Sequence, residues 1–210
     1  MLIIGADYSM TCPAITMYCG EANQFDFHKC KVRYRSERRP IEWLNIIGTY
    51  MDGKLVTCNE RRWDELSNWA MNNIVDFSIA NSNEAITVYI EDYSFGSAGR
   101  GFHIAEAAGL FKHKLWGLGA DIVPVSPSVV KKFYSGKGNA LKNDMYTAFV
   151  KETDINLMAV FQPKAENVGS PVGDIVDSYA LCRYGVLVGG RGNLEPKKKK
   201  ISKSRKVNHG

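Results

Sequence analysis

The sequence predicts an α/β protein in which helices cover a mixed β-sheet. Two observations support this prediction. Short apolar segments near the N-terminus follow one another like an antiparallel meander, and from residue 59 onward apolar strands alternate with helical segments. Five strands can be recognised, so we expect a mixed five-stranded sheet flanked by helices. A chain of 210 residues is long enough for one domain with a single sizeable core.

The first three predicted strands lie between residues 2 and 28. An apolar run from residue 2 ends in Asp7, and residues 13–18 and 23–28 continue the meander. Because a buried strand rarely carries an aspartate, we expect Asp7 to lie where its strand emerges into a site. Residues 34–58 are less regular, and we interpret them as an insertion or a long connection.

Strands and helices alternate in the next part of the chain. Residues 59–79 form a predicted helix with Asn59 as its N-cap, and its apolar residues fall on one stripe. These are Trp63, Leu66, Ala70, Ile74 and Phe77. Residues 85–91 are rich in β-branched side chains and end in Glu91, so a second strand finishes on an acid. A glycine-rich loop then leads to a helix over about residues 102–117.

Residues 121–125 form the fifth predicted strand, and Ser126-Pro127 is a typical start for the helix that follows. A turn over residues 136–142 leads to another helix through about residue 151. This turn lacks the G-x-x-x-x-G-K-[ST] spacing of a phosphate loop, so we expect no nucleotide cofactor. Residues 154–169 are predicted to be an irregular connection.

The last helix is predicted over residues 170–188, with Ser170 as its N-cap. Asp174 and Asp177 are three residues apart and therefore lie on one side of it. The rest of its first half is nearly all apolar, so we expect most of the helix to be buried. Two buried acids on one face repel each other unless a cation lies between them. The alternative is that they only stabilise the helix dipole.

Charge is unevenly distributed. Residues 191–210 contain eight Lys and Arg side chains and one Glu, so their net charge is +7. The whole chain has a net charge of +5, and residues 1–190 therefore carry −2. We therefore expect one folded domain over residues 1–190 and a basic, disordered tail over residues 191–210. Such a tail favours a polyanionic partner, although a solubilising or localisation role fits the composition equally well.

Other features limit the class of protein. The five cysteines contain no C-x-x-C pair, which indicates buried thiols in a reducing compartment, not a zinc site or disulfides. No apolar run is long enough to span a bilayer, and no signal-peptide pattern precedes the first strand. We expect a cytoplasmic protein, associated with a nucleoid or, if viral, in the host cytoplasm; a nuclear location stays open.

Four carboxylates stand out: Asp7, Glu91, Asp174 and Asp177. An acid cluster without His or Cys suits Mg²⁺ or Mn²⁺, and two such ions about 4 Å apart can activate water and stabilise the leaving oxygen in phosphodiester cleavage. With a basic tail in the same chain, the economical interpretation is a nuclease. It depends on the four acids meeting in space.

The residues 127–132 and 136–142 resemble the lysine segment of the RuvC family of Holliday-junction resolvases. The four acids also match that family's acidic tetrad in type and order, and the similarity covers residues 1–188 except 34–58. The resemblance implies an RNase H-like fold, a homodimer, and paired nicks across a four-way DNA junction with two Mg²⁺ ions per site, for which Mn²⁺ can substitute. The tail and the long 34–58 segment are more similar to the viral or phage branch.

The resemblance also implies roles for individual residues. Asp7, Glu91, Asp174 and Asp177 would be metal ligands. Lys131 and Lys142 would act at the scissile phosphate, whereas Lys132 and Lys137 would contact the DNA backbone. In the loop after the glutamate, Tyr93 or Phe95 would stack at the junction centre and Arg100 would contact a phosphate. Packing of Phe95 into the core is the alternative for that residue.

Three competing functions remain at this stage. A branch or flap nuclease with an RNase H-like fold could act without symmetric resolution. The residues 5–9 faintly resemble the first phosphate loop of actin-like ATPases, but that fold needs a second lobe which 210 residues do not supply. A non-catalytic junction-binding protein would have no need for all four acids.

Overall fold

The computed structural model describes residues 1–33, 41–43, 46–53, 58–81, 84–92 and 101–189. These residues form one sheet flanked by helices. The strands are β1 (Leu2–Asp7), β2 (Ala14–Cys19), β3 (Gln24–Arg33), β4 (Ile41–Trp43), β5 (Ile46–Asp52), β6 (Ile86–Glu91) and β7 (Asp121–Val125). The helices are α1 (Asn59–Ala80), α2 (Gly101–Gly117), α3 (Pro127–Ser135), α4 (Lys142–Thr153), α5 (Leu157–Phe161) and α6 (Val172–Gly189).

The strand order within the described residues is β4-β5-β3-β2-β1-β6-β7, so the expected count of five strands is wrong. The expected strands are all present, and β4 and β5 are additional. Both lie in the part of the chain that we interpreted as a connection. β5 pairs in parallel with the second half of β3, and β4 pairs antiparallel with β5. Their pairing depends on main-chain hydrogen bonds, which leave no clear hydrophobic period in the sequence.

One face of β1 contributes to a hydrophobic core under α1 and α2. Leu2, Ile4 and Ala6 are buried there, and the ring of Tyr8 stacks on Phe111 at a centroid distance of 4.4 Å. The predicted stripe of α1 is confirmed, because all five of its residues are buried. The N-cap of α1 is however Cys58, so the expected cap Asn59 is the first helical residue.

The other face of β1 lies directly against α6. A Cβ atom on Gly5 would come within 2.1 Å of the Ser178 carbonyl oxygen and 2.3 Å of the Cys182 nitrogen, so only glycine fits at this contact. The hydroxyl of Thr16, on the neighbouring strand β2, is 2.8 Å from the hydroxyl of Ser178 on α6. This close approach fixes α6 across the sheet and brings its first turn to the end of β1.

Three further details concern the helices on this side. α3 starts as predicted, with Ser126 as N-cap and Pro127 in its first turn. α6 begins at Val172 and not at residue 170, after a cis Ser170–Pro171 peptide bond. The connection expected to be irregular contains the short helix α5. None of the described helices combines the length and apolar character needed to cross a membrane.

Candidate functional site

Two of the four predicted acids lie side by side on adjacent strands. Asp7 is the last residue of β1 and Glu91 is the last residue of β6. The strands are parallel, with Ala6 opposite Ile90, so both carboxylates emerge at the same end of the sheet. Asp7 has the same side-chain parity as Gly5, and therefore points to the face that α6 covers.

The other two acids come from the start of α6. Asp174 lies in its first turn and Asp177 follows one turn later. All four carboxylates are partly exposed, so they lie at the mouth of the cleft between the sheet and the helix. Burial raises the pKa of Asp7 well above its usual range, and the negative charges of Asp177, Glu91 and Asp174 add to this shift. The other three acids thus lie within electrostatic reach of Asp7.

Two more carboxyl groups show the same effect. Burial, followed by the charge of Asp177, raises the pKa of Glu91, while Lys131 and Lys142 act against the rise. Burial also raises the pKa of Asp177 to about 6; Lys142 and Lys131 oppose the rise and Asp174 adds to it. Since ionising these groups together is unfavourable, the cluster has a free-energy cost that a bound cation would offset.

The two lysines of the predicted lysine segment also reach this cluster. Lys131, on α3, lines a small cavity of about 90 Å³ together with Glu91 and Asp177. Lys142 is the first residue of α4, and its Nζ lies 3.1 Å from the position that a Cβ on Gly173 would occupy. The glycine therefore leaves room for the ammonium group beside the start of α6, next to the acids.

A third lysine, Lys29, lies in the site, and our sequence reasoning missed it. It projects from β3, is only 5% exposed, and forms an ion pair with Asp174 Oδ2. Ser170 Oγ donates a hydrogen bond of 2.6 Å to the same oxygen, so its hydroxyl serves Asp174 and does not cap α6. The signal was the strand alternation, because Phe25, Phe27 and Lys29 share one side of β3 and a lysine is out of place on that apolar side.

The donor set fits a hard divalent cation in type, though not yet in spacing. Within the described ranges, no three His, Cys, Asp or Glu side chains stand close enough together to hold an ion. The acids nevertheless offer only oxygen ligands; burial raises the pKa of three of them, and neighbouring carboxylates add to each rise. A divalent ion would relieve this repulsion, after small movements of the carboxylates toward one another.

The remaining predicted DNA contacts are divided between the surface and the undescribed chain. Lys132, on α3, and Lys137, in the turn after it, are exposed to solvent. Tyr93, Phe95 and Arg100 lie outside the described residues, as does the tail over 191–210. Their predicted roles remain predictions.

The sequence matches no protein-family model and no curated protein. Solved structures are similar in fold. Thermus thermophilus RuvC superposes with a TM-score of 0.53 at 13% sequence identity, over 90% of this chain and 97% of that one. The same protein in complex with a Holliday junction substrate gives a TM-score of 0.55 at 12% identity, over 90% and 96% of the two chains. The chain has the RuvC fold.

The RuvC fold confirms the expected RNase H-like arrangement of a mixed sheet between helices. The likeness extends over nearly the whole length of RuvC. A solved complex of Fowlpox virus resolvase with Holliday junction DNA is also similar, with 14% identity over 90% of this chain and 98% of that one. Its TM-score of 0.43 is too low to bear on the fold or on a viral origin.

Proposed function

We propose that this protein is a Mg²⁺-dependent, structure-selective endodeoxyribonuclease that resolves four-way and other branched DNA by paired nicks. The observation that carries the proposal is the convergence of four carboxylates and two lysines at one end of the sheet of a RuvC fold. Three separate segments of the chain supply the acids. The pKa values of Asp7, Glu91 and Asp177 are raised by burial and further by neighbouring carboxylates, a cost that a bound cation would offset.

The acids Asp7, Glu91, Asp174 and Asp177 would hold the metal. Two Mg²⁺ ions, or Mn²⁺ in their place, would supply a lowered pKa for an attacking water and charge stabilisation for the leaving oxygen. The chain itself contributes the positions of the ligands. Asp7 and Glu91 are fixed by strand register, and the two aspartates of α6 are fixed by the contact of that helix with Gly5.

Lys131 and Lys142 would act on the DNA side of the cluster. Both lower the pKa values of Glu91 and Asp177, which shows that their ammonium groups lie within electrostatic reach of those carboxylates. A phosphodiester placed against the acids would therefore meet two cations that can stabilise the charge developing on the scissile phosphate. Lys132 and Lys137, which are exposed further out, would contact neighbouring backbone phosphates.

A junction has strands that must be cut in pairs, so the proposal includes a homodimer with two active sites. The exposed side of α2 supports it. Phe102 and Trp116 are 86% and 72% exposed, respectively, and a second protomer packed on α2 would cover both. In the loop between β6 and α2, Tyr93 or Phe95 would stack on bases at the junction centre and Arg100 would bind a phosphate.

Strand-mapped cleavage of synthetic DNA tests the proposal. The substrates are a four-way junction, a three-way junction and a flap, each with Mg²⁺ and with EDTA. We expect metal-dependent, symmetric nicks in the four-way junction, with cleavage lost and binding retained in Glu91→Gln. Nicks confined to flap or three-way DNA would favour the branch-nuclease alternative. Junction binding without any cleavage would indicate a non-catalytic binder.

The basic tail is expected to add electrostatic affinity for DNA. Deleting residues 191–210 removes a net charge of +7, so the truncated protein should bind junction DNA more weakly and with a smaller dependence of log K on log salt concentration. Affinity measured at several salt concentrations would check this, with circular dichroism to show that folding is unaltered. An unchanged slope would assign the tail to solubility or localisation.

A further inference from the structure

Lys29 occupies a defined place in a row of residues across the sheet. In the strand registers Lys29 is opposite Ala14, and Ala14 is opposite Asp7. The three residues therefore lie next to one another on the face that α6 covers. Since Ala14 is buried and small, the long side chain of Lys29 has space to extend over β2 toward the start of α6.

Lys29 is unusual in its burial. Of the Lys, Arg, Asp and Glu side chains that the structure describes with a burial class, it alone is buried. A buried ammonium group is unfavourable unless a negative partner compensates it. Asp174 is that partner, and Ser170 completes the arrangement, with its Oγ 3.5 Å from Lys29 Nζ.

The ion pair engages a carboxylate that the proposed function assigns to metal. Lys29 and Ser170 both donate to Asp174 Oδ2. An ammonium group and a divalent ion compete for the charge of one carboxylate.

We propose that Lys29 is the counterion of the metal-free site, and that Asp174 exchanges Lys29 for a divalent ion when the metal binds. Lys29 is thus a positioning residue that acts through Asp174. It stabilises the protein before metal arrives and weakens metal binding by the free energy needed to break the ion pair. The inference rests on the proposed metal site.

The test is a Mn²⁺ titration of the full-length protein without DNA, followed by the electron paramagnetic resonance signal of free Mn²⁺. Lys29→Met keeps the length and apolar stem of the side chain but removes its charge. We expect it to bind Mn²⁺ at least about fivefold more tightly, a typical size for coupling between two sites. Its melting temperature without metal should fall, and the rise on adding Mn²⁺ should exceed that of the wild type.

Two further variants complete the experiment. Ser170→Ala removes one donor to Asp174 Oδ2 at an exposed position, so it should fold normally and bind Mn²⁺ more tightly than the wild type but less tightly than Lys29→Met. Lys164→Met makes the same change of charge at an exposed site and should leave Mn²⁺ affinity unchanged.

The outcomes separate this inference from the proposed function. If the wild type binds no Mn²⁺, the metal site itself is wrong. If the wild type binds Mn²⁺ and Lys29→Met binds it equally or more weakly, Lys29 does not compete with the metal and the inference is overturned. Should Lys29→Met fail to fold, Ser170→Ala decides, and unchanged or weaker binding in that variant overturns the inference.

Discussion

The two faces of strand β1 have opposite chemistry. Toward α1 and α2, its residues Leu2, Ile4 and Ala6 enter a hydrophobic core. Toward α6, Ile3 also enters a hydrophobic core, but the next alternate positions are Gly5 and Asp7, next to a buried pair of hydroxyls and a buried lysine. The first face contributes only hydrophobic stability. The second face also holds charged groups together, and this lowers the stability of the fold.

This contrast teaches that substitutions on the two faces should have opposite consequences. Trimming the apolar face should lower the free energy of unfolding and leave the chemistry of the folded protein intact. Neutralising Asp7, Glu91 or Asp177 on the other face should abolish the chemistry and leave the metal-free protein at least as stable, because it removes repulsion between carboxylates.

The largest expected effect is that of Asp7→Asn on cleavage. Asn has nearly the same shape but no charge, so the variant should lose about 10³-fold or more in the rate of junction nicking, which is about 4 kcal/mol of activation free energy. Its free energy of unfolding in EDTA should be equal to or above that of the wild type. Single-turnover nicking and urea titration measure the two quantities. Wild-type cleavage would remove Asp7 from the site.

The counterpart on the apolar face is Phe111→Ala. Phe111 is fully buried and stacks on Tyr8, so its loss should lower the free energy of unfolding by about 3–5 kcal/mol. At a temperature where the variant is folded, its Mn²⁺ affinity should match that of the wild type. Phe111→Leu is the milder control. A changed metal affinity would mean that the two faces are coupled, and would contradict the expectation that substitutions on the apolar face affect stability alone.

The dependence of stability on pH should sharpen the contrast. The pKa of Asp177 is raised from 3.8 to about 6 in the folded state, so the folded protein holds this proton more tightly than the unfolded chain. Without metal, the contribution of Asp177 to the free energy of unfolding should therefore fall by about 2–3 kcal/mol as pH rises from about 4 to above 6. Asp7 and Glu91 shift in the same direction.

Urea unfolding in EDTA across this pH range measures the effect. The stability of Asp177→Asn relative to the wild type should increase with pH, since the variant cannot ionise there. Mg²⁺ should raise the melting temperature of the wild type more at pH 8 than at pH 5, where protons compete for the same oxygens. A pH-independent difference between the two proteins would contradict the assigned cause.

The smallest effect concerns the hydroxyl pair further along the second face. Ser178 Oγ donates to the Ile175 carbonyl, so Thr16 supplies the hydrogen between the two hydroxyls. Thr16→Val should cost about 1–2 kcal/mol because Ser178 loses a buried partner. The double variant Thr16→Val/Ser178→Ala should recover part of that loss. Urea titrations of the single and double variants test this. If the losses in the free energy of unfolding of the two single variants add up to that of the double variant, the contact does not contribute to stability.

The site could be predicted from the sequence largely because its signals are local. An acid at the end of an apolar strand stands out wherever it occurs, and Asp7 and Glu91 are two such cases. Asp174 and Asp177 stand out by their spacing in an apolar helix. That all four meet depends on the strand order and on α6 crossing the sheet, and the coordinates were needed to establish it.

The misses arise from interactions that leave weak local patterns. β5 is held by main-chain pairing with β3 and shows no alternation of polar and apolar residues. Lys29 was passed over because lysines on strands usually face solvent, and only its register with two phenylalanines marks it as inward. Ser170 is a residue type typical of a helix N-cap, yet its hydroxyl donates a hydrogen bond to the Asp174 carboxylate.

The contact at Gly5 has a consequence for motion. A helix that touches a strand backbone to backbone has no intervening side chains whose rotation could let one slide over the other, so β1 and α6 must move as one piece. Strand pairing also holds β6 to β1. In the proposed metal site, any tightening of the acids around an ion then falls to rotations of the carboxylate side chains.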